Sequence, residues 1–196
     1  MHEIGYVHND LKLDNFLIGL NDPKIIYLID FGISSTYKNE DGTHIKKLRY
    51  TSFSGNFMFA SLSSISKYSQ SRRDDMQSLF YVMIFLLNNG SLPWTDFGKK
   101  FKGNNYTFED YLRERVNVKY SREVMDLCPE NLKGIMKKVL LLGFTDTPPY
   151  DEIIDKIKKE IARDVQIGPD LEPIIHEFEW QQNIASRIRA KYLREL

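Results

Sequence analysis

The strongest constraint on this chain is a pair of polar clusters at the two ends of one short hairpin. The first is His8-Asn9-Asp10-Leu11-Lys12-Leu13-Asp14-Asn15 and the second is Asp30-Phe31-Gly32. Between them lie the apolar runs Phe16-Leu17-Ile18 and Lys24-Ile25-Ile26-Tyr27-Leu28-Ile29, around Asn21-Asp22-Pro23. Asn, Asp and Pro together mark a turn, so the two runs are expected to pair. Such a hairpin brings Asn15 and Asp30 to the same end. Upstream, residues 1–4 read as the last turn of a helix stopped at Gly5, and Tyr6-Val7 as a brief extended piece.

Downstream the pattern turns helical. Residues 33–63 are polar and rich in Ser and Thr without a clear period, which predicts a long loop. Residues 75–87 are apolar on nearly every side, the mark of a helix buried in a core. Asn88-Asn89-Gly90 ends it, and a loop follows from Pro93-Trp94. Residues 97–106 form a basic segment carrying Lys99, Lys100 and Lys102. A short helix is predicted over 108–116. A further helix over 130–142 carries Leu132, Ile135, Met136, Val139 and Leu140. After Pro148-Pro149, residues 150–161 read as an amphipathic helix with Ile153, Ile154, Ile157 and Ile161 on one side. Gly168-Pro169 breaks the chain again, and 172–196 shows a helical stripe of Ile174, Phe178, Ala185, Ile188 and Tyr192 with a basic end. The expected fold is mainly α with short β-hairpins, as one domain over 1–165 and a helical extension over 166–196.

The residue types in the two clusters suit phosphoryl transfer, a reaction that needs positioning more than reactive groups. Asp10 is a candidate to orient a hydroxyl and accept its proton. Lys12, two residues on in an extended loop, points the same way and can neutralise a moving phosphoryl group. Asn15 offers a neutral oxygen and Asp30 a charged one to Mg2+, which prefers hard oxygen ligands and takes the rest from phosphate. Gly32 lets the backbone turn sharply behind Asp30.

Composition excludes several alternatives. The 196 residues are 42% hydrophobic and 28% charged with a formal net charge of zero, so no bulk field favours nucleic acid. No apolar run approaches the roughly 20 residues of a membrane span. The single cysteine, Cys128, has no partner for an internal disulfide and reads as a small buried apolar residue. With no signal-peptide pattern, the expected location is cytoplasmic or nuclear.

The two clusters, in this order and spacing, resemble the signature of the protein kinases. Gln70-Ser71-Arg72-Arg73-Asp74-Asp75, Gly90-Ser91-Leu92-Pro93-Trp94 and Asp14-Asn15-Phe16-Leu17-Ile18-Gly19 narrow the resemblance to the casein kinase I family. Gly55-Asn56-Phe57-Met58-Phe59-Ala60-Ser61 looks like a diverged form of that family's Gly-Thr-Ala-Arg-Tyr-Ala-Ser segment. The resemblance runs from Met1 to about Ile161 and implies the large, C-terminal lobe of a serine/threonine kinase using ATP and Mg2+ on protein substrates. It implies Asp10 as catalytic base, Lys12 as phosphate contact, and Asn15 and Asp30 as metal ligands. Leu17 and Ile29 become the apolar floor under the adenine ring. His8 and Gly32 are supporting residues, and Asp75 is expected to hydrogen-bond the backbone of the catalytic loop.

Departures from the family pattern set further expectations. Asn9 stands where the family has Arg, so the tie that Arg makes to the activation segment is not carried over. Asn56 replaces a Thr that bonds near the catalytic Asp and Lys, and Met58 replaces an Arg that helps to hold an anion. Arg72, Arg73 and the lysines of 97–106 remain as candidate anion contacts. The few residues before His8 leave no room for a Gly-rich loop, a strand Lys and its Glu partner. The sequence as given therefore reads as a large lobe without its lid, with inefficient turnover alone and an exposed upper face open to a partner. The alternative is a truncated pseudokinase acting as a scaffold.

Overall fold

A computed structural model describes residues 1–50, 52–97, 107–119 and 121–164. The basic segment Lys99-Lys100-Lys102, the stripe within 172–196 and the extension over 166–196 lie outside the described residues.

The chain opens with a 3-10 turn, His2–Ile4, closed by Gly5 at φ 89°. Only a residue without Cβ takes that conformation freely. Strand β1 (Tyr6–Val7) pairs antiparallel with β4 (Ser35–Thr36). The predicted hairpin is present as β2 (Phe16–Ile18) and β3 (Ile26–Leu28), with Leu17 opposite Tyr27. Its turn is built as the residue types require: Gly19 N donates to Ile25 O at 2.8 Å, and the Asp22 carboxylate accepts from Lys24 N at 3.0 Å.

Helix α1 (Leu62–Ile65) is a single turn that begins at the end of the stretch 33–63 expected to be loop. Helix α2 (Arg72–Leu87) starts three residues earlier than the apolar run. Its start is fixed by polar groups: Ser71 N donates to Asp74 Oδ2 at 2.8 Å and Ser61 Oγ to Asp74 Oδ1 at 2.7 Å. Asp74 is fully buried, and desolvation raises its pKa above the ordinary carboxylate value. Helix α3 (Phe108–Lys119) outruns its predicted end, and α4 (Arg122–Asp126) is a short helix without a sequence period to announce it. Helix α5 (Glu130–Leu141) follows its expected span closely, and α6 (Tyr150–Asp164) starts where expected and runs three residues further.

The core forms where α2 meets α5: Phe80, Tyr81 and Ile84 pack with Ile135, Met136 and Val139, and Trp94, Val124 and Ile153 close the cluster. The expected apolar side of α6 is narrower than its isoleucines suggest. Ile153 is buried and Ile157 packs partly against the core, whereas Ile154 is 48% and Ile161 57% exposed. At about 100° per residue, Ile153 and Ile157 share a line on the helix, and Ile154 lies a full step off it.

Candidate functional site

The two polar clusters meet. Hairpin pairing continues past its strands, with Ile29 N donating to Asn15 O at 3.0 Å, so residues 15 and 30 flank one end of the hairpin. Asp10, Lys12 and Asp30 line one open cleft of about 300 Å³ together with Gly55 and Asn56.

The loop that carries Asp10 is fastened from below. His8 N and Asn9 N donate to the two Asp75 carboxylate oxygens at 2.7 and 3.0 Å, so α2 holds the loop by its backbone, as expected. His2 Nε2 adds a contact to Asp75 Oδ2 at 2.8 Å, and His2 Nδ1 meets the Tyr150 hydroxyl at 2.7 Å. The His8 ring is fully buried: Nε2 reaches Ile29 O at 3.0 Å, and Nδ1 accepts from Asp10 N at 3.3 Å. His8 therefore joins the Asp10 loop to the residue before Asp30.

The side chains of the cleft divide their atoms. Asp10 Oδ2 pairs with Lys12 Nζ at 2.7 Å. The hydrogen bond to Asp10, helped by the charges of Asp10, Asp30 and Asp14, holds the Lys12 ammonium above the ordinary lysine range. Asp10 Oδ1 is buried and has no hydrogen-bond partner among the described residues. Asn15 is buried and its Nδ2 donates to Asp10 O at 2.9 Å, which assigns the nitrogen and leaves the carboxamide oxygen as its other polar atom. Asp30 sits at φ 62°, a left-handed conformation uncommon for a residue with a side chain, and its Oδ1 accepts from Gly32 N at 3.3 Å. Among the described residues no three His, Cys, Asp or Glu side chains gather around one point. The available donors are the hard oxygens of Asn15 and Asp30, a set that fits Mg2+ when phosphate and water supply the remaining ligands. Leu17 and Ile29 are 47% and 36% exposed, so both are open to an apolar ligand.

Asn9 does keep a tie to the following segment, through Nδ2 to Ile33 O at 2.8 Å and Ser35 Oγ at 3.0 Å. Asn56 turns its Oδ1 to Met58 N at 2.7 Å instead of reaching Asp10 or Lys12. Arg72 and Arg73 are committed elsewhere: Arg72 Nη2 donates to Thr145 O at 2.9 Å, and Arg73 bonds Leu142 O at 2.6 Å and Ser63 Oγ at 3.0 Å. Their guanidinium groups join α2 to the loop before α6, and both Nη atoms of Arg73 are spent on Leu142 O and Ser63 Oγ.

Sequence reasoning missed two buried cations. Lys119, at the end of α3, is fully buried, with Nζ bonded to Ala60 O and lying 4.4 and 4.7 Å from the Tyr81 and Trp94 ring centres. Arg115 is buried one turn earlier and donates to Phe57 O. Burial, with Arg115 nearby, drives the Lys119 pKa well below the usual lysine range. Together these two residues hold the backbone of 57–60, which continues the Gly55-Asn56 wall of the cleft. The only signal in the sequence is the four-residue spacing of the two cations on α3, a pattern that surface helices show as well.

A larger groove of about 850 Å³ lies behind the loop, against His2, Leu11, Leu28, Met76, Pro149 and Tyr150. Asp10, Lys12 and Asp30 do not line it.

The family described as protein kinase domain matches residues 1–156. A probable casein kinase I homolog of Encephalitozoon cuniculi is 33% identical over 165 residues, covering 80% of this chain and 49% of that protein. Casein kinase I homolog 3 of Schizosaccharomyces pombe is 33% identical over 156 residues, 77% of this chain and 34% of the relative. A probable serine/threonine-protein kinase of Dictyostelium discoideum is 36% identical over 152 residues, 76% of this chain and 29% of the relative. The chain thus spans about half the length of the first of these relatives and less of the others.

Proposed function

The chain belongs to the protein kinase family and is casein kinase I-like within it, and from that premise we propose that its cleft serves transfer of the ATP γ-phosphate to serine or threonine hydroxyls of proteins. The observation that carries this reading is the division of the Asp10 carboxylate. One oxygen is held by Lys12, and the other is buried, without a partner, beside the cleft. An acceptor left in that state costs free energy, of the order of 1–3 kcal/mol, unless a donor arrives. A substrate hydroxyl is such a donor: Asp10 Oδ1 accepts its hydrogen bond, orients its oxygen and takes its proton as the phosphoryl group moves. Lys12 then has a second task, since its ammonium can turn from Asp10 toward the negative oxygens of the transferred group. Asn15 and Asp30 would hold Mg2+, which supplies neutralising charge on the phosphates when bound. Leu17 and Ile29 offer the apolar surface for the adenine ring. The proposed setting is cytoplasmic or nuclear, with protein substrates.

Titration with MgATP, read by calorimetry and thermal unfolding, tests the nucleotide part. At about ten times Kd a ligand adds roughly 1.4 kcal/mol of stability, and Asp30→Ala should remove that gain. Labelled phosphate incorporation tests the rest, with Asp10→Asn expected to lower it by about 10²–10⁴-fold. No MgATP-dependent stabilisation in the millimolar range would remove the nucleotide site from consideration.

A second reading, a pseudokinase scaffold, has one observation in its favour. The hairpin exposes Leu20 at 91%, Ile26 at 58% and Tyr27 at 53%, an apolar face of the kind that binds partners. A stable chain without MgATP response whose Ile26→Asp variant loses a bound protein partner would favour it.

A further inference from the structure

We propose that Asn9 is a positioning residue that sets the separation of the Asp10 and Asp30 loops through its neutral carboxamide. The inference rests on the reading of those two loops as one phosphoryl-transfer site.

Three features of residue 9 coincide. Its backbone lies at φ 68°, in the left-handed region that Asn tolerates better than most residues with a side chain. That conformation directs its N–H to Asp75 Oδ1 at 3.0 Å, so the residue is anchored to α2. Its side-chain nitrogen then spends both hydrogens on the far loop, one on Ile33 O at 2.8 Å and one on Ser35 Oγ at 3.0 Å. Ile33 is three residues beyond Asp30, and Asn9 directly precedes Asp10. The carboxamide thus bridges the two loops next to the residues assigned to chemistry.

The bridge closes a ring of contacts. On one side Val7 of β1 pairs with Ser35 of β4, and Ser34 Oγ donates to His8 O at 3.3 Å. On the other side His8 Nε2 meets Ile29 O at 3.0 Å. Asn9 supplies the rung between these fastenings. The surroundings suit a neutral group. A cavity of about 200 Å³ beside Asn9 is lined by Ser35, Ser52, Ser54, Ser64 and Ser69, and its Lys67 is paired with Glu109. Asn9 Oδ1 is buried there without a partner among the described residues.

Asn9→Gly is the clean probe, because glycine adopts φ 68° without strain and only the carboxamide is lost. Asn9→Asp is the second variant: it keeps the size and removes the N–H donors. Amide hydrogen exchange over residues 33–36, MgATP affinity and the thermal unfolding midpoint are measured on the full chain. Both variants are expected to exchange faster over 33–36 and to bind MgATP about fivefold more weakly, the worth of one net hydrogen bond. The midpoint should move little, because the Asp75 anchor is backbone-mediated and stays. A wild-type chain that fails to bind MgATP removes the phosphoryl-transfer reading. A wild-type chain that binds, with variants of unchanged affinity, overturns the role of Asn9 alone, and so does weaker binding without faster exchange.

Discussion

Removal of the Asp75 carboxylate is the most direct test of how the site is held. Asp75→Ala deletes the acceptors of His8 N at 2.7 Å, Asn9 N at 3.0 Å and His2 Nε2 at 2.8 Å in one step. The side chain is only 4% exposed, so water does not replace it cheaply. Hydrogen bonds to a charged group contribute about 1.5–3 kcal/mol each, and a buried N–H left without an acceptor costs about 1–3 kcal/mol. His8 is fully buried and bears that cost in full, whereas Asn9 is partly accessible and recovers part of it from solvent. The expected loss is therefore about 3–5 kcal/mol, not the sum of three full bonds. For a chain of this size each kcal/mol moves the midpoint by about 2–4 °C, giving a fall of about 10 °C. Asp75→Asn keeps one acceptor but sets an NH2 group against a backbone N–H, and should fall roughly half as far. Calorimetric unfolding gives the midpoints, and amide exchange at His8 and Asn9 shows whether the loss is local to the loop. A drop of less than about 2 °C in the Ala variant, with those amides still protected, would mean that the loop is held by something other than α2.

Lys119→Met tests the buried cation through pH. A lysine whose folded pKa lies below its unfolded value of about 10.4 binds fewer protons folded than unfolded, so its contribution to stability rises with pH across that interval. The wild-type midpoint should therefore gain on that of Lys119→Met between pH 7 and pH 10; a flat or falling difference would show that the Tyr81 and Trp94 rings and the Ala60 carbonyl keep the ammonium at its usual pKa. Burial pushes the Cys128 thiol up to about 11, so at pH 8 only about one thiol in a thousand is thiolate, and iodoacetamide should label it at the rate of global unfolding. Rapid labelling of the folded chain would contradict the burial. Gly55→Ala places a Cβ 3.2 Å from Asn9 O and 3.6 Å from Asp10 Oδ1 at a backbone φ of 108°. Phosphate transfer should fall by more than MgATP affinity, because the wall beside Asp10 moves while Asn15 and Asp30 stay; equal losses in both would point to general unfolding.

What the sequence made legible follows from contacts that are local or periodic. The hairpin announces itself because Asn21-Asp22-Pro23 is turn chemistry between two apolar runs, and its closure alone carries Asn15 to Asp30. Helix α5 is readable because Leu132, Ile135, Met136 and Val139 keep a helical interval and are all buried. The β1–β4 pairing is not readable: two residues, Ser35 and Thr36, are too few for a period, and their partner lies 28 residues upstream of Ser35 at Val7. Lys119 and Arg115 are misread for a different reason. Charged residues on a polar helix normally face water, and the rings and carbonyls that receive these two come from Phe57, Ala60, Tyr81 and Trp94, distant in sequence. Arg72 and Arg73 show the same limit, since a pair of arginines looks like an anion site until Thr145 and Leu142 are seen to accept from them.

These long-range fastenings explain why the site can be built from loops and still be precise. No residue of the cleft comes from the middle of a helix: Asp10, Lys12, Asp30 and Gly55 all lie in connecting segments. Loops hold chemistry only when their backbone polar groups are accounted for. Here α2 accepts from the Asp10 loop through Asp75, the His8 ring links that loop to Ile29, and α3 holds the segment after Gly55 through Arg115 and Lys119. Each fastening is a buried or part-buried polar contact, worth little net when complete and costly when halved. The consequence is a division of labour that mutagenesis should resolve: changes at Asp10, Lys12, Asn15 and Asp30 alter chemistry with modest effect on folding, whereas changes at Asp75 and Lys119 alter folding first and chemistry through it. A cleft whose four candidate residues proved as costly to stability as Asp75 would not be a pre-formed site but part of the structural network.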